Sequence, residues 1–189
     1  MNKISVVINT LNEEKNLPRA LESIKDLANE TIVCDMHSDD KTTEIAKKFG
    51  AKVILHERTN YVEPARNFAL SKAAGEWILV LDADEELTNS LAGQLREIAD
   101  RNDADYVLIP RKNIIFGKWI EHSRWWPDYL VRFFKSGGVK YSDKIHSPPV
   151  VNGRGLKLPA KEKNAIIHHD IQTVSQFIEK ICRYSDIQS

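Results

Sequence analysis

Two carboxylates spaced i, i+2, Asp82 and Asp84, close the apolar run Trp77-Ile78-Leu79-Val80-Leu81. In an extended chain alternate side chains share a face, so this pair would stand on one side, roughly 6–7 Å apart. That arrangement suits a hard divalent cation with a diphosphate on its far side. By itself an Asp-x-Asp is more often a polar turn at a strand end than a site. Two further polar segments strengthen the case: Thr10 through Glu13 and Asp35 through Asp39, each directly after an apolar run. Strand ends of a parallel sheet open onto one crevice.

Gly-rich phosphate loops are missing. No Gly-x-Gly-x-x-Gly follows the first apolar run, and no Gly-x-x-x-x-Gly-Lys-Ser/Thr occurs anywhere. The phosphates of a bound nucleotide would need another partner. A cation held by Asp84 supplies one, and Arg66 could add a second positive charge; its plainer reading is a surface helix residue. Glu13 and Asp35 can accept hydrogen bonds from ribose hydroxyls or a base N–H.

The elements that must position these groups are legible from periodicity. Ile4 to Ile8 reads as a β-branched central strand. Leu17, Ala20, Leu21, Ile24 and Leu27 follow a helical period, with Pro18 in the first turn. A second strand, Thr31 to Cys34, ends at Asp35. Asp39 or Asp40 can cap a helix that Gly50 stops. Lys52 to Leu55 is a third strand. A helix opened by Pro64 carries Ala65, Phe68, Ala69 and Ala73, and Gly75 is expected to close it. The 77–81 strand, a helix with Leu91, Leu95 and Ile98 facing in, and a strand Tyr106 to Ile109 follow. Such alternation implies βαβ units and a parallel sheet.

After Pro110 the texture changes. Lys112 to Trp126 is aromatic and basic without a helical period. Tyr129–Phe134 and Val139–Tyr141 flank Lys135-Ser136-Gly137-Gly138, a hairpin signal. A short strand Ala165-Ile166-Ile167 is expected to end at His168-His169-Asp170, before a helix marked by Val174, Phe177, Ile178 and Ile181. Both halves are expected to share one sheet. Trp119, Trp125, Trp126 and Tyr129 interleave with Lys112, Lys118, Arg124 and Arg132, which argues for a partly exposed face, able to rest on an anionic membrane surface.

Bulk properties narrow the class. The chain of 189 residues carries 27 basic and 27 acidic side chains, without the basic excess of a nucleic-acid binder. Its two cysteines, Cys34 and Cys182, form no Cys-x-x-Cys pair, so a disulfide framework or thiolate zinc site is not indicated and a reducing compartment fits. The opening apolar stretch is too short for a signal peptide, and no run reaches the roughly 18 apolar residues of a membrane span.

At this point a resemblance becomes specific. Ile4-Ser5-Val6-Val7-Ile8-Asn9-Thr10-Leu11-Asn12-Glu13-Glu14 resembles the opening of the family 2 glycosyltransferases of GT-A fold. Ile32-Val33-Cys34-Asp35-Met36-His37-Ser38-Asp39-Asp40-Lys41-Thr42, Ala65-Arg66-Asn67 and Asp82-Ala83-Asp84 follow in the family's order. The second half is similar to the lipopolysaccharide-core glucosyltransferase-like branch through Trp126 to Lys135, Tyr141-Ser142-Asp143-Lys144-Ile145-His146, and Ile167-His168 leading to Lys180-Ile181-Cys182-Arg183-Tyr184-Ser185. The resemblance implies one Rossmann-like α/β domain over 1–189, its mostly parallel sheet flanked by helices. Residues 1 to about 110 would bind the nucleotide sugar, and a smaller mixed β region from about 111 would face the acceptor. Relatives often continue past such a helix, so the chain is expected to stop short of a whole protein at Ser189.

The resemblance also implies roles. Thr10, Asn12, Glu13, Asp35 and Asp39 would hold the nucleoside of a UDP-sugar or similar donor, with Arg66, Asp82 and Ala83 beside it. Asp84, with Asp82 and His168, would hold Mg²⁺ or Mn²⁺, and His169 is the alternative to His168. The expected reaction is inverting transfer to a cell-envelope glycan or glycolipid, on the cytoplasmic side and in peripheral contact with the inner membrane surface. Relatives carry His-Glu where this chain has His146-Ser147, and a serine cannot act as a carboxylate base. Asp143 is the first substitute, Asp128 the second, and His146 itself a third. A hairpin-turn role for Asp143 is the plainer reading. Rival classes are a sugar-phosphate nucleotidyltransferase, which would want a Gly-rich loop after the first strand; a donor-binding relative that has lost its base; and a receiver-like phosphoacceptor domain using Asp35.

Overall fold

The computed structural model describes residues 1–59, 62–142, 148–178 and 181–182. Every residue of β1 (Ile4–Thr10) is buried, as expected of a β-branched strand covered on both faces and both edges. It pairs in parallel with β2 (Glu30–Asp35) and β4 (Trp77–Asp82), and β3 (Lys52–Leu55) lies outside β2. Alternation sends Ile4, Val6 and Ile8 to one face. There they meet Leu17, Leu21 and Ile24 of α1 (Leu17–Ile24), Ala46 of α2 (Thr42–Lys48) and Leu91, Leu95 and Ile98 of α4 (Asn89–Arg101). Val7 goes to the other face, with Ile78, Val80 and the Ala65 and Ala69 of α3 (Glu63–Leu70). Each fully buried Leu or Ile contributes roughly 1.5–3 kcal/mol to holding these layers.

The chain's second half completes the same sheet, as its sequence led us to expect. After β5 (Glu85–Leu87) and α4 come β6 (Tyr106–Ile115), β7 (Lys118–Trp119), β8 (Asp128–Lys135), β9 (Val139–Lys140), β10 (Val150–Val151), β11 (Gly155–Lys157) and β12 (Ile166–Ile171). The sheet order is β3-β2-β1-β4-β8-β6-β12-β5, with β7 and β11 also paired to β6. Strand β8 enters antiparallel between β4 and β6. It pairs with β4 only at Trp77, Ile78 and Leu79, so the last half of β4 parts from it and opens a crevice. At the parting, the β6–β8 register shifts: Val107 faces Phe133 and Leu108 faces Val131. Arg132 is the extra residue of this bulge, which re-aims its side chain.

Four readings of the sequence change. Strand β6 runs on through Pro110 to Ile115. The proline falls in a gap between neighbours, because β11 covers Tyr106–Leu108 and β12 starts at Arg111, so its missing N–H leaves no ladder bond unmade there. The turn at 135–138 exists, with Gly138 N–H donating to Lys135 O at 2.9 Å. However, β9 pairs with β10 in a separate two-stranded sheet, because both edges of β8 are already taken. Gly75 does not close α3, which ends at Leu70. A Cβ at Gly75 would stand 2.7 Å from the Ser5 nitrogen, so glycine there permits backbone contact with β1. Finally, His168, His169 and Asp170 lie inside β12, not after it. Residues 174–178 are helical, with Val174, Phe177 and Ile178 exposed.

Candidate active site

At the ends of β1 and β2 two loops are stitched together. Asp35 is buried. Its Oδ1 accepts the Thr10 hydroxyl at 2.9 Å and the Ser38 hydroxyl at 2.6 Å, and its Oδ2 accepts the Ser38 N–H at 2.8 Å. Asn12, held in the left-handed region at φ 58°, donates its N–H to Ser38 Oγ and accepts the Asp39 N–H on Oδ1, both at 2.8 Å. Asp39 itself is exposed and pairs with Arg58 at 3.0 Å. Glu13 donates its N–H to Thr42 Oγ1 at 2.8 Å and accepts Asn16 Nδ2 at 2.9 Å. Burial raises the Glu13 carboxyl to about 7; Asn16 opposes this and the nearby Asp84 and Asp82 charges reinforce it. The β1 and β4 strand ends therefore share one acidic crevice.

Beneath that crevice lies an alternating lattice of charge. Asp82 Oδ1 accepts Arg66 at 2.8 Å, and Oδ2 accepts Arg132. Arg132 also reaches Glu85 Oε1 at 3.2 Å, which accepts Arg111 at 3.3 Å as well. Arg111 then donates twice to Asp128 Oδ2, at 2.9 and 2.7 Å. Burial alone would push Asp82 up, but Arg132 and Arg66 hold its carboxyl well below the ordinary range. Arg132 is correspondingly held protonated: burial opposes its charge, and Asp82 and Glu85 overcome that cost. Three arginines are thus matched by Asp82, Glu85 and Asp128. The sequence placed Arg132 on a partly exposed aromatic and basic face, whereas these carboxylates draw it inside to 5% exposure.

Asp84 stands apart from that lattice. Among the described residues it pairs with His168 and with no arginine or lysine: His168 Nε2 lies 3.3 Å from Asp84 Oδ2. The opposite ring nitrogen, Nδ1, meets Asn113 Oδ1 at 2.7 Å. Burial lowers the His168 pKa, but the Asp84 hydrogen bond and charge outweigh it, so the net shift is upward. Strand alternation turns His169 elsewhere, onto Glu86 at 2.9 Å. A separation of 3.3 Å suits adjacent ligands of one small divalent ion, which sit roughly 3 Å apart when each is about 2.1 Å from it. An imidazole nitrogen and a carboxylate oxygen are a fitting donor pair for such an ion. Among the described residues no group of three or more His, Cys, Asp or Glu converges to hold a metal without further ligands.

Of the residues singled out from sequence, Thr10, Asn12, Glu13, Asp35, Arg66, Asp82, Ala83, Asp84 and His168 gather at these strand ends, and Asp39 sits exposed among them. Asp128 is tied to Arg111. Asp143, His146 and the neighbouring Ser147 lie outside the described residues, as does the 183–185 part of the last matching motif. Glu85, Arg111 and Asn113 escaped the sequence reading. The one available signal was the third acid directly after Asp82-Ala83-Asp84. Of the aromatic group, Trp119 meets Trp126 edge to face at 5.1 Å with Lys112 over its ring at 4.4 Å, and Trp125 is exposed. Among the described residues no helix is long and apolar enough to cross a membrane.

A helix-flanked mixed sheet with a carboxylate-lined crevice at its strand ends defines an α/β protein of GT-A fold. Residues 5–158 match the model of Glycosyl transferase family 2, and the chain belongs to that family. A Rickettsia prowazekii (strain Madrid E) protein described as an uncharacterized glycosyltransferase, RP128, is 40% identical over all of this chain and 68% of its own length. The crystal structure of S. aureus TarS 1-349 superposes with a TM-score of 0.68 over 94% of this chain and 62% of that one, at 20% identity, a likeness of fold. TarS 1-349 in complex with UDP matches 64% of this chain and 38% of that one at 28% identity and a TM-score of 0.55.

Proposed function

We propose that this chain transfers a hexosyl group from a UDP-sugar, with inversion, to a hydroxyl of a cell-envelope glycan or glycolipid such as a lipopolysaccharide core. The observation that carries the reading is the acidic crevice: the Asp84 charge lies near enough to Glu13 to raise its carboxyl, and among the described residues neither carboxylate pairs with an arginine or lysine. Such a space favours a divalent cation and, through it, a diphosphate. The UDP held by the similar TarS structure supports a uridine nucleotide as the donor class. Asp35 and Glu13 would accept from the base and ribose, with Thr10 and Asn12 holding Asp35 and the Asp39 loop in place. Arg66, whose buried Nη1 has no hydrogen-bond partner among the described residues, would lie by the donor. Asp82 acts through its two arginines, and its neighbours Ala83 and Asp84 line the donor side.

Asp84 and His168 would hold Mg²⁺ or Mn²⁺, which when bound stabilises negative charge on the departing diphosphate. The acceptor oxygen attacks the anomeric carbon opposite the nucleotide. The bond from that carbon to the diphosphate oxygen breaks, its electron pair leaves with UDP, and the hydroxyl proton passes to a base. We assign the base to Asp143, with Asp128 second and His146 third; on Asp128 the arginine bonds converge on Oδ2. We further propose work at the cytoplasmic face of the inner membrane. Exposed Phe116, Trp125 and Phe177 beside Lys118 and Arg124 support such peripheral contact, and equal sedimentation with anionic and neutral liposomes would count against it.

Calorimetry with UDP, GDP and CMP, each in Mn²⁺ or EDTA, tests the donor assignment. The reading expects UDP to bind only with the metal and binding to fall at least tenfold in Asp84→Ala. Binding of none of the three under either condition would overturn it.

A further inference from the structure

We propose that Asn113 is a positioning residue whose side-chain amide dictates which ring nitrogen of His168 faces Asp84. The inference rests on the cation reading of that pair but begins from the amide. Asn113 is 1% exposed, and the parallel β6–β12 register sets it directly beside His168. Its Nδ2 lies 3.2 Å from Trp125 O and 3.4 Å from Asp128 Oδ2, while its Oδ1 lies 2.7 Å from His168 Nδ1. Only an NH₂ group can face two oxygens. A flipped amide would press its oxygen against a carbonyl and a carboxylate, so the orientation is fixed by the partners.

An amide oxygen can only accept. His168 Nδ1 therefore carries a proton, and in the neutral ring Nε2 carries the lone pair. That lone pair faces Asp84 Oδ2 at 3.3 Å. With the ring neutral these two acceptors stand face to face, so a divalent cation can take the place of the Nε2 proton that a charged ring would donate to Asp84, and the amide has prepared one ring atom for it. The same residue straps the aromatic loop: its carbonyl accepts Ile120 N–H at 3.1 Å, and its Nδ2 holds Trp125 O. The cation subsite and the Trp125–Asp128 edge thus share one side chain.

The test uses the full chain, ¹⁵N-labelled and metal-free, with the pH raised until the His168 ring ¹⁵N shifts stop changing, together with Mn²⁺ titrations in the presence of UDP. Long-range ¹H–¹⁵N spectra of the wild type are expected to show His168 as the Nδ1–H tautomer. Asn113→Leu, similar in size but unable to accept, is expected to lose that signature and to bind Mn²⁺ 10–100-fold more weakly. An Nε2–H ring in the wild type, or Asn113→Leu binding Mn²⁺ within threefold of it, would overturn the proposal. Should wild type bind neither Mn²⁺ nor UDP, the donor-site reading fails separately. The wild-type tautomer, which needs no variant and no metal, then still decides the role of Asn113.

Discussion

Glu13 shows how the crevice charges its own residues. Its carboxyl is raised from 4.5 to about 7 by burial and then by Asp84 and Asp82, against the Asn16 hydrogen bond. A folded-state pKa above the unfolded one means the native state binds more protons between those values. Stability therefore falls as pH rises from about 4.5 to about 7 and stays reduced above. In EDTA, Glu13→Gln is expected to raise Tm by roughly 3–6 °C at pH 8 and to leave it nearly unchanged at pH 4.5. Thermal unfolding at the two pH values checks the sign. The buried lattice behaves oppositely. Arg132→Met strips Asp82 and Glu85 of a shared partner in a desolvated place, with an expected loss of about 3–5 kcal/mol in urea unfolding. A loss below about 1 kcal/mol would show that solvent reaches those carboxylates. Asp84 and Glu13 were legible from sequence because each belongs to a short polar segment that closes an apolar run. Arg132 was not, because its partner Asp82 lies 50 residues away and only the bulge turns the arginine inward.

At the scale of elements, two glycines separate backbone need from incidental use. Gly75 lets the chain before β4 touch β1; a Cβ there would meet Ser5 N at 2.7 Å and Lys3 O at 2.8 Å. Gly93, inside α4, has nothing within 4 Å of where its Cβ would be. Gly75→Ala should destabilise by roughly 1–3 kcal/mol, and Gly93→Ala should stabilise by roughly 0.5–1 kcal/mol. Denaturant midpoints of the two variants should move in opposite directions. The sequence reading took Gly75 for a helix end, because close approach between segments 70 residues apart leaves no local trace. Apart from the short β5, the strands and helices up to α4 were legible because each is a local apolar pattern. The insertion of β8 beside β4 was not. Nothing in Tyr129–Phe134 distinguishes a strand that pairs with its sequence neighbour from one that splits an existing sheet. The position of His168 inside β12 was missed for a related reason: polar side chains were read as the end of a strand, yet alternation buries one histidine on Asp84 and sends the next to Glu86.

For the whole molecule, strand order decides what the crevice can do. β1, β2 and β4 deliver their carboxyl ends side by side, β8 leaves β4 at Leu79, and β12 brings His168 across from the far side of the sheet. The chain spans about two thirds of the length of the R. prowazekii relative. The central claim is that one cation joins Asp84 and His168 to the diphosphate of a uridine nucleotide. Crystals grown with UDP and Mn²⁺ and measured at the manganese edge test it most directly. The account predicts one anomalous peak within about 2.4 Å of Asp84 Oδ2 and His168 Nε2, with the diphosphate on its far side and uracil near Asp35. Nucleotide bound in the crevice without a peak at Asp84, or a peak held by other residues, would contradict it.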